Sequence, residues 1–165
     1  MVQKIIGLPD TKIRESSKEI TSFDMYLEKI IKDLIETSEI QKDPPALGMA
    51  APQIEVFKRV FVAKIRNKFR PFLNPSITKY SKRQSAILEG CFSVLGLFGQ
   101  VTRPAEIDVE YQDRHGKKIT KHFKGIAAKI IQHEFDHLNG TLFIDKAKDV
   151  VELTQDEFEH EQQES

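Results

Sequence analysis

Within Gln132-His133-Glu134-Phe135-Asp136-His137, several side chains can do chemistry together. Four residues of helix turn roughly 400° and rise about 6 Å, so His133 and His137 would point the same way. At that separation two imidazoles can bind one metal ion. Glu134, beside the first histidine, can reach a water on such an ion without being a ligand. A hydrolytic site needs a third protein ligand and leaves a fourth position open. Cys91, the chain's one cysteine, is the candidate, in Glu89-Gly90-Cys91-Phe92-Ser93. A lone cysteine is ordinarily a small buried hydrophobe. Here a glycine and a glutamate precede it and a glycine-bearing loop follows, which is unlike a core position. Two imidazoles and one thiolate suit zinc and ferrous iron alike.

These residues need elements that bring them together. Ile126, Ile130, Ile131, Phe135 and Leu138 recur at helical spacing, and Asn139-Gly140 supplies a left-handed stop. Phe23, Tyr26, Leu27, Ile30, Ile31, Leu34 and Ile35 predict an N-terminal amphipathic helix. Thr21 or Ser22 is its expected N-cap; it should end near Thr37, ahead of Asp43-Pro44-Pro45. Arg59 to Ile65 reads as a strand. Asn67 to Pro75 reads as loop with short extended pieces. Ser85 to Val94 reads as a strand running into a loop, Leu95 to Gln100. Ile107 to Tyr111 and Ile119 to Phe123 form a hairpin about Asp113-Arg114-His115-Gly116. Residues 1–20 read as extended or irregular. The expectation is an α+β fold of mostly antiparallel strands packed around a C-terminal metal-binding helix, with an N-terminal amphipathic helix. One catalytic domain would span 1–148. The tail, 149–165, has seven acidic residues and no lysine or arginine, and reads as solvated helix or coil. His115, His122 and His160 read as surface residues.

Bulk properties exclude several classes. With 165 residues the chain suits one domain with a real core. Twenty-five basic and 25 acidic residues balance, so neither nucleic acid nor an anionic membrane is favoured as the main partner. A 39% hydrophobic and 30% charged composition is that of a globular protein. No apolar run approaches the ~18 residues that span a bilayer. Residues 1–20 show no signal-peptide pattern, and a single cysteine fits a reducing, cytoplasmic setting.

Three motifs, in order, resemble the peptide deformylase family. Ala46-Leu47-Gly48-Met49-Ala50-Ala51-Pro52-Gln53 matches its Gly-x-Gly-x-Ala-Ala-x-Gln stretch. Glu89-Gly90-Cys91-Phe92-Ser93 matches Glu-Gly-Cys-Leu-Ser. His133 to His137, followed by Leu138-Asn139-Gly140, matches His-Glu-x-x-His with Leu-x-Gly. Any one alone is weak; together they cover Ile5 to Asp145. The resemblance implies hydrolysis of the formyl group of formyl-methionyl peptides. It implies a divalent ion on Cys91, His133 and His137: Fe(2+) in the cell, with Zn(2+), Ni(2+) or Co(2+) as substitutes. Glu134 would be the general base. The Gln53 amide and the backbone N–H of Phe92 would receive the oxyanion. Gly48 would pair with the peptide, and Leu47, Ile87, Ile126 and Ile130 would line a methionine pocket. Glu89 and Arg103 would steady the Cys91 loop. The ribosome is the implied macromolecular partner. Three positions depart from the pattern. Ala46 replaces a glycine, at a cost of about 1 kcal/mol if the backbone there is left-handed. Phe92 replaces leucine, and Leu95 stands where many members carry proline.

Other readings of the same residues remain. A His-Glu-x-x-His peptidase needs a further ligand; Phe143 stands where one class has a third histidine, and Glu157 stands at another class's glutamate spacing. Cys91 as a nucleophile with a histidine base is a second alternative. The third is a deformylase-like protein that binds formyl peptides with weak or no turnover.

Overall fold

The computed structural model describes residues 1–154 and residue 157. In chain order the elements are α1 (Met25–Ile40), β1 (Gly48–Ala50), β2 (Val60–Ile65), β3 (Lys68–Tyr80), β4 (Gln84–Cys91), β5 (Val94–Pro104), β6 (Glu106–Gln112), β7 (Lys118–Lys124), α2 (Gly125–Leu138) and β8 (Lys148–Glu152). Short 3-10 turns lie at Thr11–Arg14, Ala51–Ile54 and Phe143–Asp145. Two sheets form, in the orders β1-β2-β3-β6-β7 and β4-β5-β8, and every strand pairing is antiparallel. The fold is α+β, as the sequence predicts.

Strand β2 shows how the layers stack. Alternate residues of a strand face opposite sides. Val60 and Val62 pack with Leu27, Ile30, Ile31 and Leu34 of α1. Phe61 and Ala63 pack with Ile130, Ile131 and Leu138 of α2. The five-stranded sheet therefore lies between the two helices, and α2 has a buried apolar floor beneath its histidines. A third cluster, around Ile6, Ile13, Val94, Val101, Leu142 and Phe143, fills the space under the smaller sheet.

Several sequence expectations change. The cap of α1 is Asp24, not Thr21 or Ser22: its carboxylate accepts from the Tyr26 and Leu27 N–H groups. Ser22 donates its hydroxyl to that carboxylate at 2.7 Å. A charged acceptor at a helix start outcompetes a hydroxyl two residues earlier. The helix also runs past Thr37 to Ile40. The Thr37 and Ser38 hydroxyls donate back to the Asp33 and Leu34 carbonyls, so neither residue interrupts it.

Residues 68–75 are strand, not loop. Arg66 and Asn67, both left-handed, make the two-residue turn that starts β3. Pro71 lies opposite Val62, and Pro75 falls in the register shift between Leu73 and Ser76. Residues 95–100 belong to β5, and the reversal before it is the tight Phe92-Ser93 turn. The tail reading changes at its start, where residues 149–152 pair with β5 as part of β8; residues 155, 156 and 158–165 lie outside the described residues. His160 lies outside the described residues. His115 is exposed; so is His122, whose ring nitrogens sit 2.6 Å from Asp108 and 3.1 Å from Glu106.

Candidate metal centre and substrate cleft

Cys91 is the last residue of β4 and pairs across the turn with Val94. Gly90 is needed beside it, because a Cβ there would meet the Phe98 ring at 2.4 Å. The α2 helix brings His133 and His137 against the same strand. One ligand atom from each of Cys91, His133 and His137 lies within 4.8 Å of the others. The Cys91 Sγ is 3.3 Å from Nε2 of His137, and the two histidine rings are 5.1 Å apart, edge to face. Nδ1 of His133 meets the Glu89 carboxylate at 2.9 Å, which leaves its Nε2 for the centre.

The electrostatics favour a cation among these groups. Burial pushes the Cys91 thiol up, but the His137 and His133 imidazoles outweigh it and hold the pKa well below normal. Burial pushes His133 down, yet Cys91 and Glu89 hold it well above normal. The neighbouring imidazoles thus favour the thiolate form of Cys91, the form that ligates a divalent ion. Burial raises Glu134 to about 7, although both imidazoles pull it down. Its Oε2 is buried with no hydrogen-bond partner among the described residues. A buried carboxylate oxygen is costly unless another group meets it in the working site. The donor set, one sulfur and two nitrogens, fits a borderline divalent ion with an open position.

Behind the histidines runs a charged network of which the sequence shows only a part. Arg103 donates to both oxygens of Glu89, at 2.6 and 2.9 Å, and to Asp136 at 2.8 Å. Lys146 donates to the other Asp136 oxygen at 2.7 Å. Glu89 and Arg103 therefore orient the His133 ring as well as the Cys91 strand. Asp136 and Lys146 were not singled out in the sequence. The signal available was an acidic residue between Phe135 and Leu138 of α2, a setting that needs a cation when it is buried.

Two consequences follow for Arg103. Arg103→Met should destabilise the fold by roughly 3–5 kcal/mol, because it removes the buried cation shared by Glu89 and Asp136; chemical denaturation measures this. Burial would raise Glu89, but hydrogen bonds from Arg103 and His133 bring it down to about 2. A depressed carboxylate stabilises the fold fully above its ordinary pKa of 4.5. That contribution is lost as pH falls through about 2. The variant should accordingly lose the wild type's resistance to acid in that window.

A cleft of about 650 Å³ opens above the centre. Its lining includes all five residues assigned to substrate: Gly48, Leu47, Ile87, Ile126 and Ile130. Leu47 and Ile126 are exposed at the rim, Ile87 is half-buried and Ile130 is buried. Phe92 lines the cleft too. Gly48 touches the catalytic candidate directly: a Cβ there would stand 2.5 Å from Oε1 of Glu134. Gln53 comes from the 3-10 turn after β1 and is buried. Its Oε1 accepts from the Ala50 N–H at 2.9 Å, which fixes the amide's orientation. Its Nε2 donates to Ser93 Oγ at 3.1 Å and faces Cys91 Sγ at 3.6 Å. Ser93, not singled out from sequence, passes the chain of bonds on to the Ile6 carbonyl.

Ala46 is buried and does not have a positive φ, so it carries no left-handed strain. Leu95 is 79% exposed. Glu157 is exposed, and its carboxylate accepts from the N–H and hydroxyl of Thr154. It is not part of the Cys/His group, which removes the ligand that the peptidase reading needed.

Comparison with known proteins gives a consistent result. A family model described as polypeptide deformylase matches residues 2–152. The peptide deformylase of Pseudothermotoga lettingae is 41% identical over 145 residues, which is 88% of this chain and 82% of that one. A peptide deformylase of Plasmodium falciparum, solved in complex with an inhibitor, superposes with a TM-score of 0.80 and 40% identity over 88% of this chain and 90% of that one. The peptide deformylase of Thermotoga maritima superposes with a TM-score of 0.84 and 34% identity over 90% and 99%.

Proposed function

The chain belongs to the polypeptide deformylase family, and from that premise we propose how its residues remove the formyl group from formyl-methionyl peptides. Cys91, His133 and His137 hold one divalent ion, Fe(2+) in the cell, with Zn(2+), Ni(2+) or Co(2+) able to replace it. The observation that carries this reading is their convergence beside a buried carboxylate, Glu134, that has an unpartnered oxygen. When bound, the ion supplies Lewis-acid chemistry, acidifying water and polarising a carbonyl.

The remaining work falls to the protein. Glu134 takes a proton from the attacking water and delivers it to the departing amine. Burial pushes its pKa up, the direction that favours a carboxylate able to hold the proton before releasing it. Gln53 is held by its Oε1, so its NH₂ group faces the centre and donates to the oxyanion together with the Phe92 N–H. Both β1 and β4 are edge strands bordering the cleft. An extended peptide can lie along them and pair with their main chain, as proposed for Gly48. Leu47, Ile87, Ile126 and Ile130 then receive the methionine side chain.

Residues 1–148 are proposed as the catalytic unit. No helix among the described residues is long and apolar enough to cross a membrane. The proposal places the enzyme in the cytoplasm, on nascent chains, with the ribosome as partner. Selectivity tests the substrate assignment. Protein loaded anaerobically with Fe(2+), Ni(2+) or Co(2+) should release formate from formyl-Met-Ala-Ser and leave acetyl-Met-Ala-Ser intact. One ion per chain with no formate above blank would reject it.

A further inference from the structure

We propose that Lys129 is a positioning residue for the metal centre: its ammonium fixes the tilt of α2, which carries His133 and His137, against the β4–β5 hairpin, which carries Cys91. The inference rests on the ligand assignment above and adds to it. Lys129, His133 and His137 are four residues apart in turn, so they form one stripe on α2. Each of the three reaches β4 or its partner. His137 meets Cys91 at 3.3 Å. His133 meets Glu89 at 2.9 Å. Lys129 donates to the Ser85 carbonyl, and to the Arg103 carbonyl at 3.3 Å. Helix and strand therefore run side by side, joined by three successive rungs.

The first two rungs lie at the centre itself. Lys129 sits about 12 Å up the helix from His137. A constraint there sets the angle of the helix rather than the separation at the metal. Ser85 and Arg103 face each other across the β4–β5 ladder, so one ammonium ties the helix to both strands. Gln132 also reaches this hairpin, but its amide meets only the Pro104 carbonyl of β5. Lys129 is 6% exposed, and a buried ammonium is retained only where acceptors satisfy it. Here they are backbone carbonyls, whose positions are fixed by the strands. Arg103 also carries the guanidinium that holds Glu89, so the Lys129 rung and the His133 rung share a residue.

Lys129→Met keeps the apolar stem and removes the charge, and Lys129→Arg keeps both charge and reach. The readouts are the visible spectrum of the Co(2+) form and its rate of metal loss to excess chelator. The methionine variant should lose Co(2+) roughly tenfold faster and show shifted ligand-field bands, as for other losses of support behind metal ligands. The arginine variant should restore both. Lys129→Gln, too short to span both carbonyls, is held to the same expectation should the methionine variant not fold. Leu34→Ala, in the α1 core on the far side of the sheet, supplies a destabilised control that should lose metal at the wild-type rate. Metal retention by the methionine or glutamine variant at the wild-type rate overturns the proposal. So does an equal acceleration in Leu34→Ala. Cys91→Ala separates the layers: if it leaves the wild-type Co(2+) bands unchanged, the ligand assignment itself is wrong and both readings fall.

Discussion

Replacing Glu134 with glutamine should leave the metal in place and remove roughly 10²–10⁴ of kcat, the range general acid–base catalysis supplies. The substitution isolates one property. Glutamine has the same shape, so the contact with Gly48, where not even a Cβ fits, is preserved. None of the three candidate ligands changes, so metal content by elemental analysis should stay at one per chain. What is lost is a group that can hold a proton. Burial already disfavours the Glu134 charge, raising its pKa to about 7 in the metal-free site. A neutral amide there should therefore not destabilise the fold, and Tm should stay the same or rise. An active Glu134→Gln enzyme would show that the proton is handled elsewhere.

Cys91→Ala should weaken metal binding on the order of 10²–10³-fold and silence formate release. A complete structural zinc site is worth roughly 10–16 kcal/mol, so one ligand of the set contributes about 3–4 kcal/mol, or on the order of 10²–10³ in affinity. The alanine also removes a group whose contact raises the His133 pKa. The remaining pair of histidines, held by Glu89 and the helix, would bind ions weakly and without selectivity. The same variant discriminates the alternative chemistries. A peptidase that completed its site with Glu157 would keep its metal. A cysteine nucleophile would lose activity too, but its wild type would be indifferent to chelators, whereas the metal site should be silenced by them.

The centre was legible in the sequence to different depths. The α2 helix was visible because its apolar residues keep a helical period and Asn139-Gly140 ends it; the structure has it at Gly125–Leu138. Two ligands on one helix are a local pattern. Cys91 is not local: only the unusual setting of the thiol and the family motifs tied it to that helix. The β3 strand was hidden by its prolines, which argue against a regular ladder. The structure accommodates Pro75 in a register irregularity that no composition rule announces. The start of α1 offered three capping residues in a row of four, and a hydrogen-bonded Ser22–Asp24 pair decided between them. Long-range charge pairs were the least visible. Asp136 and Arg103 are 33 residues apart in sequence, and nothing in either neighbourhood names the other. Residues 149–152 read as solvated tail because their side chains are exposed. Their pairing with β5 uses the backbone, which composition does not report.

A metal titration of formate release tests the metal centre and the activity together. Metal-free protein would receive Fe(2+) in increments under anaerobic conditions, with formyl-Met-Ala-Ser as substrate. The rate should rise linearly to one equivalent per chain and then stay flat, with Cys91→Ala remaining at blank throughout. Equal rates with and without metal, or a saturated site that releases no formate, would contradict this reading of the centre.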